Sequence, residues 1–325
     1  MGDVDGDGDM ELFFGGFDRR IYGLHHNGTA VTGFPADSYL RGRFPTWPNL
    51  IGHLSDTVWS SPALADLDGD GLPEIYLGTD EGNMGNSFGG NTMNWYCPYA
   101  TPWGYEYCGG TLYGLSATGT ILPGFPKLFW EHIQSTPAIA DLNGDGTLDI
   151  TIGTGTFYAT VTGMDKGRRF LAYDGATGGF LAGWNSYANV WEGGQNTTSG
   201  TPSPPAIGDI TGDGQLDVVA FTFDNKVYAW HGNGTAVAGF PLTPSASFFQ
   251  FGVGQGPVLA DYNGDGDMEI FFTANTSVVV VDGNGTQLVA QNDRFRLESS
   301  FPNGFRVPTP LRWAIWMATA SSTSS

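Results

Sequence analysis

Asp66-Leu-Asp-Gly-Asp-Gly-Leu-Pro-Glu74 places four carboxylates at positions 1, 3, 5 and 9 of a nine-residue stretch, with glycine at positions 4 and 6. Glycine lets the chain turn back sharply on itself, and oxygens spaced in this way around a sharp turn converge on a common point. An apolar run, Pro62-Ala-Leu-Ala65, leads in, and a β-branched and aromatic run, Glu74-Ile-Tyr-Leu77, leads out. The stretch therefore reads as strand, tight acidic loop, strand.

The pattern recurs. Equivalent loops occupy 3–11, 66–74, 141–149, 209–217 and 261–269. Strand-like runs follow the other four, at Glu11-Leu-Phe-Phe14, Asp149-Ile-Thr-Ile152, Asp217-Val-Val-Ala220 and Glu269-Ile-Phe-Phe272. A second strand pair then closes each unit around a glycine turn, as in Ile21-Tyr-Gly-Leu-His-His-Asn-Gly28, Leu112-Tyr-Gly-Leu-Ser-Ala-Thr-Gly119, Val227-Tyr-Ala-Trp-His-Gly-Asn-Gly234 and Val279-Val-Val-Asp-Gly-Asn-Gly285. Phe170 to Gly178 is a looser copy. Asn-Gly is a strong hairpin signal, because both residues accept positive φ. Three copies end on Gly-Phe-Pro, at Gly33, Gly124 and Gly239. A four-stranded unit cannot bury both faces alone and must stack on its neighbours. The fold class expected is all-β: a β-propeller of four-stranded blades, with residues 1–310 as one domain, at least five blades represented and six or seven in the intact protein.

Composition agrees with that class. The 325 residues include 50 Gly and 19 Pro, with 14% aromatics, which suits many tight turns between short strands. Net charge is −20, with only 13 Lys and Arg, so no basic surface is available to neutralise nucleic-acid phosphates. No apolar run is long enough to span a membrane as a helix. The acids are clustered: 19 of the 33 fall in the five loops. Clustering marks sites rather than a solvated polyanion.

Acids at such density repel one another unless a cation joins them, and oxygen-only ligands at this spacing suit a hard cation, Ca2+. The expected side-chain ligands, one ion per loop, are Asp3, Asp5, Asp7 and Glu11; Asp66, Asp68, Asp70 and Glu74; Asp141, Asn143, Asp145 and Asp149; Asp209, Thr211, Asp213 and Asp217; and Asp261, Asn263, Asp265 and Glu269. The Asp209 loop is expected to be weakest, because Thr211 stands where the others carry a carboxylate or amide. These residues resemble the calcium-binding FG-GAP and VCBS-type repeats of integrin α-subunit propellers and of many secreted bacterial proteins. The resemblance implies the propeller, calcium and an extracellular or cell-surface setting. It spans adhesion receptors, lectins, polysaccharide lyases and filament proteins, so it implies only a broad class of activity.

In a four-stranded blade the 1–2 and 3–4 connections share one face and the 2–3 and 4–1 connections the other. The acidic loops and Asn-Gly turns should therefore lie together. The long insertions, 36–59, 80–110, 154–167, 184–203 and 241–255, are all expected on the opposite face. Their aromatics, including Trp47, Trp95, Tyr99, Trp103, Tyr105 and Trp191, suit stacking on sugar rings or packing on a protein; folding back as loop mini-cores is the alternative. An extracellular glycan or protein is the expected partner, with self-assembly as a further option. Cys97 and Cys108 flank one insertion and are read as a disulfide of an oxidising compartment, with two free thiols as the alternative.

No catalytic motif is present. His25, His26, His53, His132 and His231 show no metal or nucleophile spacing and are read as structural or solvated. A lyase using Lys166, Arg168 or Arg169 as base is the competing reading, and a filament subunit a third. Asn196 and Asn275 are candidate glycosylation sites; Asn27, Asn233 and Asn284 sit in sequons that their turns already explain.

The two ends break the pattern. Met1-Gly2-Asp3 enters directly on an acidic loop, so the chain is expected to start mid-blade. Residues 311–325 fit no repeat. Translated one base earlier with GC-rich codons they read A-A-V-G-D-L-D-G-D-G-E-L-D-V-V, so they are expected to be a frameshifted remnant of a further blade, an ordinary Ser/Thr-rich tail being the alternative.

Overall fold

The apolar runs that follow the acidic loops are all strands. The computed structural model describes residues 1–16, 20–34, 36–37, 58–79, 110–129, 132–155, 168–175, 177–184, 194–244, 256–274 and 277–289, and every regular element within them is a β-strand. Five antiparallel sheets follow one another along the chain. They are β1 (Leu12–Gly15), β2 (Arg20–Leu24) and β3 (Ala36–Asp37); β4 (Ala63–Ala65), β5 (Glu74–Gly78), β6 (Thr111–Leu115) and β7 (Lys127–Leu128); β8 (Ala138–Ala140), β9 (Asp149–Gly153), β10 (Arg169–Asp174) and β11 (Gln195–Asn196); β12 (Ala206–Gly208), β13 (Asp217–Phe221) and β14 (Val227–His231); and β15 (Val258–Ala260), β16 (Glu269–Ala274), β17 (Ser277–Val281) and β18 (Gln287–Val289). Each sheet is a meander, its strands paired in chain order.

Three sheets have the four strands expected. The first sheet's inner strand is reduced to the Gly2–Glu11 bridge, and the fourth sheet's outer strand to the Val227–Leu242 bridge. Numbering the sheets as blades 1 to 5, β5, β9 and β13 are buried along their whole length. A strand hidden on both faces needs cover from two sides, and the neighbouring blades supply it. Among the described residues the buried apolar side chains form four clusters, each between consecutive blades. Phe13 and Ile21 meet Ile75, Leu77 and Tyr113; Tyr76 and Leu112 meet Ile150, Ile152 and Leu171; Phe170 and Ala172 meet Val218 and Ala220; Val219 and Val227 meet Ile270, Phe272 and Val279. The short inner strands β4, β8, β12 and β15 neighbour one another in that order. Their alanines and glycine suit the crowding where blades meet at the axis of a propeller.

The Gly-Phe-Pro ending also joins blades. Gly33, Gly183 and Gly239 have φ of 89°, 83° and 92°. A Cβ there would stand 1.9, 1.9 and 2.2 Å from the carbonyl oxygens of Thr118, Asn233 and Asn284, which belong to the next blade's 3–4 turn. Phe34 and Phe240 are buried beside these glycines, and Trp184 takes the place in blade 3. Between blades 2 and 3, Lys127 Nζ donates to the carbonyl oxygens of Gly178 and Gly124 and lies over the Phe125 and Tyr173 rings, 5.0 and 4.6 Å from their centroids. Burial pulls its pKa down to about 8.

Within the expected 184–203 insertion, Gln195–Asn196 forms the fourth strand of blade 3 and pairs with β10, and upstream of it the Leu181 N–H donates to the Ala172 carbonyl oxygen. Cys97, Cys108, Trp47, Trp95, Tyr99, Trp103, Tyr105, Trp191, Lys166, Asn275 and residues 290–325 lie outside the described residues, while Asn196 ends β11. No helix among the described residues is long and apolar enough to cross a membrane.

Candidate metal centres

All five acidic loops adopt one conformation, set by the first and ninth positions. In loops 1, 2, 3 and 5 the first Asp accepts from the backbone N–H groups of positions 4 and 6, as Asp3 does from Gly6 at 2.7 Å and Gly8 at 3.0 Å, and Asp66 from Gly69 and Gly71 at 2.7 and 2.8 Å; in loop 4 Asp209 accepts from Asp213 and Gly214, positions 5 and 6. Both glycines have positive φ in every loop, from Gly212 at 68° to Gly266 at 103°. The ninth-position acid reaches back from the second strand to the N–H of position 2: Glu11 to Val4, Glu74 to Leu67, Asp149 to Leu142, Asp217 to Ile210 and Glu269 to Tyr262. A buried carboxylate thus closes each loop.

The second loop brings Asp66, Asp68, Asp70 and Glu74 together, with one carboxylate oxygen from each within 4.8 Å of the others. Two oxygens held by one Ca2+ at about 2.4 Å each can be at most about 4.8 Å apart, so the set fits a single ion. Asp3, Asp5 and Asp7 converge in the same way. In the third loop Asp149 is fully buried, and its Oδ1 has no hydrogen-bond partner among the described residues. An ionised oxygen left so is costly, and a cation is the partner that removes the cost.

The titration of Glu74, Asp149, Asp217 and Glu269 points the same way. Burial first, then the loop carboxylates, raise Glu74 and Glu269 above the usual range. Burial raises Asp217 as well. Asp149 is pushed up to about 6, by burial and then by Asp145, Asp174 and Asp141. A carboxyl whose folded pKa is raised binds its proton more tightly folded than unfolded, so it stabilises the fold below its unfolded pKa and that stability is lost as pH rises through the folded value. In chelator, the protein is therefore expected to melt at higher temperature as pH falls from about 7 toward about 5. Saturating calcium should abolish or reverse the trend, and melting curves at stepped pH with and without the ion measure both.

The strand register supplies a residue that sequence reading missed. In blade 4 the last residue of the third strand, His231, stands opposite the ninth-position acid, Asp217, fourteen positions on. In blade 4 His231 Nδ1 lies 2.8 Å from Asp217 Oδ1, and in blade 1 His25 Nδ1 lies 3.2 Å from Glu11 Oε1 and 3.9 Å from Asp5 Oδ2. These two histidines therefore belong to the acidic loops, whereas His26 pairs with Asp9 at the exposed surface and His132 is buried near Gly155. In blade 3 the opposite residue is an acid, Asp174 facing Asp149. Like charges opposed across a strand pair are destabilising, and a cation or a proton between them relieves the repulsion.

The loops are thus unequal. In loop 4 Thr211 Oγ1 donates to Asp217 Oδ2 and His231 takes Oδ1; in loop 5 Asn263 Nδ2 donates to Glu269 Oε1. Their closing acids are already engaged, while loop 2 converges and loop 3 keeps an oxygen unpaired. Of the lyase candidates, Arg169 is buried in β10 and Arg168 precedes it at φ 64°.

Similarity to known proteins follows the same repeats. The FG-GAP-like repeat family matches residues 3–77 and 209–272, which hold loops 1, 2, 4 and 5. No curated protein matches the sequence. Among solved structures, the Vibrio cholerae biofilm matrix protein Bap1 is 20% identical, with 88% of this chain and 37% of that one covered and a TM-score of 0.47. The Pseudomonas aeruginosa PilY1 C-terminal domain is 14% identical, covering 85% and 59%, at 0.45. A Bacillus licheniformis rhamnogalacturonan lyase is 16% identical, covering 74% and 42%, at 0.43. The chain spans less than two thirds of each. With its repeated acidic loops and five stacked antiparallel sheets, the chain is an all-β propeller, and its residues 3–77 and 209–272 match FG-GAP-like repeats.

Proposed function

We propose that the chain is an extracellular, calcium-bound propeller that serves as a binding, adhesion or structural surface module, with a glycan or another protein as partner. The convergence of Asp66, Asp68, Asp70 and Glu74 carries the calcium part of this reading. The unpartnered Asp149 oxygen and the raised pKa values of Glu74, Asp149, Asp217 and Glu269 support it. Surface-exposed loops of this kind suit weak calcium sites, of the millimolar class used by extracellular modules, and so favour a setting outside the cell. The aromatic-rich insertions, low in charge, are the part of the chain suited to a sugar or protein face.

Calcium titration by calorimetry, followed by a glycan array with and without chelator, tests the two parts separately. Multiple calcium sites and calcium-dependent glycan retention are expected. No heat of calcium binding would overturn the first part; calcium binding with no retained glycan would move the partner to protein. Release of unsaturated sugars from a polysaccharide would identify a lyase instead.

A further inference from the structure

Blade 1 brings a nitrogen donor into its acidic loop. Glu11 is fully buried; its Oε2 accepts from the Val4 N–H and its backbone pairs with Gly2. Its Oε1 lies 3.2 Å from His25 Nδ1, and Asp5 Oδ2 lies 3.9 Å from the same nitrogen. One donor atom from each of the three residues stands within 4.8 Å of the other two. Separate contacts hold the donors in place. Asp5 Oδ1 accepts from the Asp7 N–H, which leaves Oδ2 as the atom nearest the imidazole. The backbone of His25 is fixed by its turn, where its N–H donates to the Thr29 carbonyl oxygen and its own carbonyl oxygen accepts from Gly28.

The other blades show what is particular about this set. In blade 4 His231 Nδ1 lies 2.8 Å from Asp217 Oδ1, but position 3 of the loop is Thr211, whose hydroxyl donates to Asp217 Oδ2. Two donors satisfy that acid. In blade 1 Asp5 stands at position 3 and has no proton to donate when ionised, so a second carboxylate faces the same nitrogen. The register that pairs Ile75 with Leu115 in blade 2 brings Glu74 opposite Ser116, and blades 3 and 5 oppose Asp149 to Asp174 and Glu269 to Asp282. Among the described blades, blade 1 alone combines carboxylates at positions 3 and 9 with an imidazole on the third strand.

Ca2+ takes oxygen ligands, and His25 offers it none. One imidazole with two carboxylates suits Zn2+ and similar transition-metal ions, whose nitrogen and oxygen ligands lie at about 2.0–2.2 Å. Two such ligands on one ion stand roughly 3 to 4 Å apart, the separation at which His25 meets Glu11 and Asp5. We propose that Asp5, Glu11 and His25 form a site for a divalent transition-metal ion of the Zn2+ class. Three protein ligands leave a further position for water or a ligand. Asp5 also belongs to the all-oxygen set Asp3, Asp5 and Asp7, so Zn2+ and Ca2+ compete at loop 1 and at no other loop.

Calorimetric titration of Zn2+ into the full chain, in buffer containing calcium, tests the site. One Zn2+ is expected to bind. Co2+ in its place should show the visible absorption of a nitrogen-ligated ion, which added Zn2+ bleaches. His25→Ser gives loop 1 the residue that blade 2 carries, and it should weaken Zn2+ binding by more than about tenfold, since losing even an outer partner of a ligand costs that much. His231→Ser should leave Zn2+ binding unchanged. Melting of both variants in calcium shows that they fold, and the Co2+ spectrum of the wild type reads the imidazole ligand without any substitution. A wild type that binds no Zn2+ overturns the proposal and leaves His25 as a hydrogen-bond partner of Glu11. Zn2+ binding that survives His25→Ser, or that is lost in His231→Ser, overturns it as well. Each of these outcomes is independent of whether the other loops bind calcium.

Discussion

Chelating calcium is expected to lower the melting temperature more than any single core substitution. A ligand that binds only the folded state stabilises it by about 2.7 kcal/mol per site when free ion stands about a hundredfold above Kd, and the effect sums over loops. The structure also ranks the loops. Asp66→Asn or Glu74→Gln strikes a set that already converges, and Asp149→Asn removes a buried oxygen that lacks a partner. Asp209→Asn strikes a loop whose closing acid is held by Thr211 and His231. The first three substitutions should each remove one calcium from the stoichiometry and most of that site's stabilisation. The last should cost least in calcium while leaving melting in chelator nearly unchanged. Calorimetry and melting on the four variants measure this, and equal losses in all of them would show that the loops are equivalent.

Trp184→Ala is expected to destabilise the fold by about 3–5 kcal/mol, the range for emptying a large aromatic site in a core. Trp184 is fully buried, with its ring centroid 6.0 Å from Phe170 and 5.9 Å from Trp230. Its Nε1 donates to the carbonyl oxygen of Gly232, 2.7 Å away in the next blade's turn. Truncation would leave a cavity and also orphan that oxygen. Trp184→Phe separates the two terms, because it fills most of the volume and loses only the hydrogen bond, for about 1 kcal/mol. Urea unfolding with calcium present and again in chelator reads the difference. If Trp184→Ala costs no more than Trp184→Phe, the blade 3–4 contact lies elsewhere.

Much of the fold was legible because its signals are local. Each acidic loop carries its own turn-forming glycines and its own closing acid, so the conformation of Asp66 to Glu74 is set by those nine residues and recurs wherever they do. The Asn-Gly turns behave alike: Asn27, Asn233 and Asn284 each accept the N–H two residues on, which explains the residue without a glycan. The partnership of His25 and His231 with the loops was not legible from spacing within the loop. It depends on pairing between the second and third strands, across a connection whose length differs from blade to blade. The constant offset of fourteen residues in blades 1 and 4 was its one trace. Gln195–Asn196 goes unread within the 184–203 stretch for a related reason, since a two-residue edge strand has too little pattern to announce itself.

The sequence by itself determined the repeat, the strand order within each blade, the converging carboxylates and hence the kind of cation they suit. Tertiary structure alone decided which of the equivalent residues are covered. Ile210 and Tyr262 hold the same loop position, yet one is fully buried and the other half exposed. A blade has no interior of its own: its apolar positions are buried only by the blade beside it, and that neighbour is a property of the stack, not of the repeat.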